Sequence, residues 1–352
     1  MKIFQNKKIV ITGGTGSLGK ILVKELLRGK KGKPKKVIIF SRDEAKQHYM
    51  RLEYQHKKSS TDEAIYNNFH QLVEFRIGDI RNYASVCSVL RDADIVINAA
   101  ALKQVPTCEY FPYEAVQTNV MGAENIIRAL KENDYPVKVV VGVSTDKACK
   151  PVNVMGMTKS IQERIFISGN IFVPKTRFVC VRYGNVLASR GSVIPLFWEQ
   201  LKHDGPLTVT TEVMTRFLLP LVKGVETVFA AIEFGRPGET YIPRVPSAQI
   251  LNVAKALIGN KKIKIKIVGI RPGEKEHEIL ISDEEAWHTY KRGDYYVIQS
   301  MLPELLKGKF KKAVLKKEFS SSDNVMTFEE TKTLLKKYNL LDYEERSEEL
   351  LV

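Results

Sequence analysis

An alternation constrains this chain more than any other feature. Six short runs rich in β-branched residues, Lys8–Thr12, Val37–Ser41, Val73–Ile77, Asp94–Ala99, Lys138–Ser144 and Arg177–Arg182, are separated by longer segments with helical spacing, such as Leu18–Leu27, Ala115–Glu132 and Val154–Ser168. The runs VKVVVGVS and DIVINAAA are almost wholly apolar, as strands buried on both faces must be. Strand, helix, strand repeated with right-handed crossovers predicts an α/β fold, a Rossmann-like doubly wound parallel sheet. At 352 residues the chain is long enough for that sheet and a smaller C-terminal substrate-binding lobe.

After Gly184 the alternation gives way to segments punctuated by Pro195, Gly205-Pro206, Gly235-Arg-Pro-Gly238 and Arg271-Pro-Gly-Glu274. The expected division is therefore 1–184, mainly dinucleotide-binding, then 185–319, mainly a lobe over the sheet's carboxyl edge with some segments returning to the first domain, then a helical extension, 320–352. The run SSSDN at 320–324 reads as its flexible joint. Thr327-Phe-Glu-Glu330 fits a capping box, so a last helix should start there, its face of Leu334, Leu335 and Tyr338 packing on the body or on another subunit.

Composition excludes several classes. No run of about 18 apolar residues exists, and the amino terminus MKIFQNKK has no apolar signal core, so the chain is expected to be cytoplasmic with no integral membrane contact. Cys87, Cys108, Cys149 and Cys180 form no Cys-x-x-Cys pair, and the six histidines form no ligand spacing, so neither disulfides nor a metal is expected. The net charge of +15 with a pI near 9.4 suits anionic partners. The lysines are scattered apart from Lys307–Lys317, readable as a basic amphipathic element or, far more simply, as a solvated face. No nucleic-acid-binding pattern accompanies it, so no nucleic acid is expected.

The first run leads into Thr12-Gly-Gly-Thr-Gly-Ser-Leu-Gly19. Gly13 permits a tight turn, Gly16 lets a pyrophosphate approach backbone, and Gly19 allows a helix to pack closely on the strand. Amides at the helix start then face the phosphates. Glycine triplets also occur in ordinary turns; position after the first strand of a β/α series favours dinucleotide binding. Arg42, at the end of the second run, suits the 2′-phosphate of NADP, with the adjacent Asp43 arguing for NAD. Asp79 ends the third run, where it can accept from an adenine amino group or cap the next helix.

Ser144-Thr-Asp-Lys147 followed by Met155-Gly-Met-Thr-Lys159 resembles the catalytic strand and helix of the short-chain dehydrogenases, with Met155 where that superfamily places tyrosine. A thioether takes no proton from an alcohol. Lys159, one helical turn after Met155, can hold a nicotinamide ribose. Asp146 and Lys147 follow an apolar strand, at the sheet edge where ligands bind, and Thr145 adds a donor hydroxyl; an exposed turn of opposite charges is the plainer alternative. Oxidation of a hexose at C4 acidifies C5–H, so a base at C5 and an acid at the 6-hydroxyl can together eliminate water. Asp146 protonated and Lys147 deprotonated, each shifted toward neutrality by burial, would serve.

The stretches TGGTGSLG, FSRDE, GDIRN, NAAALKQVPTCEYFP, TNVMGAENII, STDKA, NVMGMTK, RYGNVLASRGSVIP, MTRF and RPGEK, in this order over nearly the whole chain, resemble the short cytoplasmic UDP-N-acetylglucosamine 4,6-dehydratases of surface polysaccharide and flagellin-sugar synthesis, a branch of the extended short-chain dehydrogenases. The resemblance implies Asp146 as acid for water loss, Lys147 as base at C5, Thr145 at the 4-oxygen and Lys159 on the cofactor. The cofactor would also meet Thr15, Ser17, Leu18, Ser41, Ile80, Ala99, Ala100, Ala101, Lys103 and Asn119. Lys103 and Gln104 would lie beside nicotinamide and sugar, and Asn185, Arg216, Arg271 and Glu274 would bind UDP. Methionine at 155 resembles a capsule-associated group, and leaves the 4-hydroxyl proton to Thr145, Asp146 or a water relay to Lys159. The Asp-Lys pair resembles the C5-inverting type, giving the L-arabino product. A homo-oligomer is implied, with a hexamer as one form. The competing readings are a retaining dehydratase, a UDP-sugar 4-epimerase, and a non-catalytic NADP-binding protein.

Overall fold

The computed structural model describes residues 2–56, 69–189, 191–306 and 311–341, the side chains of 55–56 excepted. The six runs form strands β1 (Lys8–Thr12), β2 (Lys36–Ser41), β3 (Val73–Ile77), β4 (Ile95–Asn98), β5 (Val139–Thr145) and β6 (Arg177–Tyr183). All pair in parallel in the order β3-β2-β1-β4-β5-β6, so the strand order reverses between β1 and β4. Open α/β sheets bind their ligands beyond the strand carboxyl ends at such a reversal.

Alternate residues feed two apolar layers, as the two-residue period of a strand requires. Ile9, Ile11, Ile39, Ile97 and Val141 pack on one side with Leu22, Leu26 and Val228. Val10, Ile38, Val96 and Val140 pack on the other with Ile126, Phe166 and Phe178.

Three strands beyond the six complete a nine-stranded sheet. Thr240–Pro243 lies parallel beside β6, and the hairpin Thr289–Arg292 with Tyr295–Ile298 adds antiparallel to it, turning at Gly293 with φ +59°. These pieces are short and broken by Pro243 and Gly293, so their sequence carries no long apolar run. The lobe contains Asn185–Val186, Thr215–Leu219 and Ser247–Gln249 in one small sheet, and Leu207–Val209 paired with Ile265–Ile267.

Two segments differ from expectation. The predicted Ala115–Glu132 helix is a short helix Pro112–Ala115, a π-helical stretch Val116–Met121 and a helix Gly122–Glu132. The wider turn brings Asn119 inward, where its side chain takes both backbone groups of Leu102. The 320–324 segment is no loose joint: Phe319–Ser320 pairs with Ile279–Ile281, and buried Ser321 bonds Thr215 Oγ1 at 2.7 Å and the Glu278 amide at 2.9 Å.

The last helix, Phe328–Lys337, begins at Thr327 with the capping box to Glu330. Leu335 is buried with Phe197 and Trp198, and Leu334 and Tyr338 pack on the same cluster, so its apolar face belongs to the body. Of the lysine-rich segment, residues 307–310 lie outside the described residues. The remainder, 311–317, is not helical; Leu315 packs inward and Lys311 lies over the Tyr290 ring. All four cysteines are free, and no helix among the described residues is long and apolar enough to cross a membrane.

Candidate active site

One cleft of about 1600 Å³ runs along the carboxyl ends of β1, β2, β4, β5 and β6 and under the lobe. Its first half is built of backbone. Gly13 turns at φ +66°, and a Cβ there would stand 2.8 Å from the Ala100 backbone. Gly16 caps the helix Ser17–Arg28 without any side-chain cap, and a Cβ on it would meet only the Gly13 carbonyl, at 3.3 Å. The amides that open this helix therefore face the cleft beside a residue with no side chain, a fit for a dinucleotide pyrophosphate. Gly19 packs differently from expectation: its Cβ would lie 2.4 Å from the Gly14 carbonyl oxygen, so it presses the helix on the turn and not on the strand.

Thr15, Ser17, Leu18, Ser41, Arg42, Asp79, Ile80, Ala99, Ala100, Ala101 and Lys103 line the same cleft. Thr15 and Ser41 share a hydroxyl hydrogen bond of 3.1 Å. Asp79 is not the cap of the next helix, a role that Asn82 takes. It accepts from the Arg81 amide and Nε at 2.9 Å each, and these bonds outweigh burial to hold its carboxyl below the ordinary range. Arg42 reaches it at 3.7 Å and is half exposed. Asn119 does not line the cleft: it is fully buried, and Leu102 and Thr158 occupy its amide.

The second half is made of side chains. Thr145 ends β5 and caps the turn Asp146–Ala148, which carries Asp146 and Lys147. The helix Val154–Phe172 presses on that turn through Gly156, where a Cβ would lie 2.1 Å from the Lys147 carbonyl oxygen. Its cap, Asn153, accepts from the Gly156 amide and donates to the Gly273 carbonyl at 2.7 Å, tying the helix to the RPGEK loop.

Asp146 is fully buried; its Oδ1 accepts from Thr145 Oγ1 at 2.9 Å and Lys147 Nζ at 3.1 Å. Its Oδ2 has no partner and lies close against Gly184, where a Cβ would come within 3.1 Å of it and 2.7 Å of Phe217 Cβ. Lys147 Nζ also contacts Glu278 Oε1 at 2.9 Å, and Arg216 Nε stands 3.8 Å from that same oxygen. Sequence reasoning missed Glu278, although it lies three residues after the RPGEK stretch.

Charge states follow from this crowding. Burial pushes the Asp146 carboxyl up, against the attraction of Lys147. Burial likewise favours protonated Glu278, but Lys147 and Arg216 together outweigh it and hold it lowered. With two cations beside Glu278 and one beside Asp146, protonation is favoured on Asp146 over Glu278. Lys147 departs from expectation: burial presses it toward neutrality, yet Asp146 and Glu278 raise it above an ordinary lysine, so it is an ammonium.

Lys159 is buried and drawn down to about 8, chiefly by burial. It lines the cleft, but donates to the Val143 carbonyl and to Gln162 Oε1 at 2.7 Å. Met155 packs with Cys108 and Ala115 and also reaches the cleft.

Of the expected substrate residues, Gln104 fits against Gly191, whose absent Cβ would overlap its amide nitrogen. Asn185 lines the cleft with an unpartnered buried Oδ1, and Arg271 is exposed there. Glu274 accepts from the Arg271 amide at 3.4 Å. Arg216 also lines the cleft, and its guanidinium donates to the carbonyls of Thr215, Lys275 and Glu276, so it braces the 275–278 segment. Thr118 Oγ1, Ser144 Oγ, Asp146 Oδ2, Asn185 Oδ1, Ser192 Oγ and Glu278 Oε2 are buried, without partners, and belong to cleft residues. Unpaired buried oxygens concentrated in one cleft mark it as a place for a polar ligand.

Residues 9–300 match the family model described as polysaccharide biosynthesis protein. A protein named UDP-glucose 4-epimerase from Rickettsia bellii (strain OSU 85-389) is 42% identical over 345 residues, 95% of this chain and 96% of that one. The X-ray structure of Pen from Bacillus thuringiensis superposes with a TM-score of 0.84 at 34% identity, covering 96% of this chain and 99% of Pen. The fold is shared with DesIV, a dTDP-glucose 4,6-dehydratase from Streptomyces venezuelae solved with NAD and TYD, at TM-score 0.64 and 20% identity over 76% of this chain and 86% of that one.

Proposed function

The chain belongs to the polysaccharide biosynthesis protein family, and from that premise we propose that it is an enzyme acting on nucleotide sugars, specifically a UDP-N-acetylglucosamine 4,6-dehydratase that uses NADP. One observation carries the reading: a fully buried Asp146, its carboxyl pushed up by burial, beside Lys147 at the end of β5, with its Oδ2 unpartnered against Gly184 in the cleft. A buried carboxylic acid is suited to protonate a leaving hydroxyl. A 4-epimerase has no leaving group to protonate.

The glycine turn Gly13–Gly19 and the cleft residues Ser41 and Arg42 would hold the dinucleotide, which supplies the acceptor and later the donor of one hydride. Asp146 gives its proton to the departing 6-oxygen, and Lys147, as its amine, takes the proton at C5. Met155 takes no proton, so the one on O4 falls to Thr145 or passes by a relay to Lys159, whose pKa near 8 suits that duty. Asn185 and Arg271 are the proposed contacts to the UDP moiety. The Asp-Lys pair supports inversion at C5. Self-association is part of the reading, supported by the exposed Tyr110, Phe111 and Tyr113.

The rival is a UDP-sugar 4-epimerase, favoured by the name UDP-glucose 4-epimerase that the Rickettsia relatives carry. Purified protein incubated with UDP-N-acetylglucosamine in heavy water separates the two. Dehydration gives a product lighter by one water with deuterium at C5; an isomer of unchanged mass would replace this reading with the epimerase one.

A further inference from the structure

The elimination asks two carboxyl groups for different things, and the site holds two around one lysine. One must arrive protonated to release water; Asp146 is the better placed for that, fully buried and facing one cation where Glu278 faces two. The other must relieve Lys147 of a proton, since an ammonium cannot take hydrogen from carbon. Asp146 cannot do both.

We propose that Glu278 is the proton-holding partner of Lys147, receiving the ammonium proton so that the amine can act at the sugar carbon. The distance of 2.9 Å from Nζ to Oε1 is a direct hydrogen bond. Glu278 is held for this role by backbone: its amide donates to Ser321 Oγ, and Ser321 N donates to the Glu278 carbonyl at 2.8 Å. Its second oxygen, Oε2, is buried with no partner.

Balanced, the sequence starts as ammonium plus carboxylate becoming amine plus carboxylic acid, with one proton moved and no net charge change. The amine then takes the C5 proton and becomes ammonium while Asp146–H protonates the leaving 6-oxygen. When C5 is reprotonated by that ammonium, the amine recovers its proton from Glu278, and the O4 proton released on oxidation of C4 passes through Thr145, whose hydroxyl donates to Asp146 Oδ1 at 2.9 Å, to restore the Asp146 acid, so the starting charges return. Filling the cleft with ligand removes water, which disfavours a charged pair relative to a neutral one, so substrate itself would drive the first shift. Glu278 acts on Lys147 and never on the sugar.

This inference rests on the dehydratase reading, and the cofactor-loaded protein tests each separately. Glu278→Gln is expected to slow water loss from UDP-N-acetylglucosamine on the order of 100-fold while UDP affinity, read by calorimetry, is unchanged. In protein labelled with nitrogen-15 lysine, the Lys147 resonance, assigned by its loss in Lys147→Arg, should deprotonate at lower pH in E278Q than in the wild type. Wild-type water loss in E278Q, loss of UDP binding along with turnover, or an unmoved Lys147 titration overturns the inference. Should E278Q fail to fold, Glu278→Asp keeps the charge and withdraws the acceptor by one carbon; water loss should slow with UDP binding kept, and an unslowed rate overturns the inference. A wild type that releases no water sinks the underlying reading instead.

Discussion

The two halves of the cleft are built by opposite means. The turn from Gly13 to Gly19 is contiguous, made of backbone, and shaped by missing Cβ atoms. The charged cluster is assembled from Asp146 and Lys147, Gly184, Arg216 and Glu278, which come from four separate segments. Backbone shape for a pyrophosphate can be written in seven consecutive residues because it depends on local dihedral angles. Proton chemistry depends on burial and on the charges across the cleft, so it is written only once the lobe has folded over the sheet.

Breaking the second half should give the largest effect. Asp146→Asn keeps the shape and removes the transferable proton, so water loss should fall by roughly 10²- to 10⁴-fold while the cofactor stays bound, measured as product mass against retained nucleotide. Loss of cofactor together with activity would show that the halves are not separable. Next comes the brace behind the cluster. Arg182 lies buried between Glu163 and Glu285, with contacts of 2.6 and 2.7 Å, and so joins β6 to the segment after Glu278. Burial raises Glu285, but Arg182 outweighs it and carries the carboxyl from 4.5 down to about 2. A depressed carboxyl stabilises the fold above its ordinary pKa, and that contribution is lost as pH falls from 4.5 toward 2. Glu285→Gln should cost about 3 kcal/mol at neutral pH and flatten the acid limb of a denaturant-melt series; an unchanged acid limb would remove the brace from the account.

The same division decides what the sequence discloses. The six parallel strands and the helix after Gly16 follow from local periodicity, and their observed ends lie within a residue of the expected ones. The return of Thr240–Pro243 and the Thr289–Ile298 hairpin to the sheet could not be read that way, because partners far along the chain, not local apolar runs, make them strands. Asp146 and Lys147 stand out as an acid-base pair after an apolar strand. The sign of the Lys147 shift does not, because it is a balance between burial, which lowers it, and the adjacent Asp146 together with Glu278, 131 positions later in the sequence, which raise it. Asn119 and Arg216 carry polar side chains in telling stretches, yet both spend them on backbone carbonyls, a use that only the folded contacts disclose.

Two glycines make the comparison sharper at smaller cost. A Cβ at 19 would strike the Gly14 carbonyl oxygen at 2.4 Å, and one at 156 would strike the Lys147 carbonyl oxygen at 2.1 Å. Each alanine variant should lose about 1–3 kcal/mol through overpacking. Their functional damage should diverge: Gly19→Ala should shed nucleotide on gel filtration, whereas Gly156→Ala should keep it and lose turnover by shifting the Asp146-Lys147 turn. Identical profiles for the two variants would refute the division of labour.

The smallest expected effect concerns which dinucleotide enters the first half. Asp43 is the residue that argues for NAD, because a free carboxylate at that strand end would bond a ribose hydroxyl. It is not free: its Oδ1 accepts from the Lys46 amide at 3.0 Å, its Oδ2 meets Lys46 Nζ at 2.5 Å, and those bonds lower its pKa. Arg42 is bound more loosely, with more than half of its side chain exposed and a long 3.7 Å contact to Asp79. Asp79 already has Arg81, so turning Arg42 toward a 2′-phosphate leaves no bare carboxylate behind. Arg42→Ala should therefore weaken NADP by about tenfold, the low end for an exposed charge-assisted contact, and leave NAD unchanged in a calorimetric titration of nucleotide-free protein. Equal weakening of both would mean that Arg42 serves the shared part of the dinucleotide, and the preference would then have to come from elsewhere in the turn.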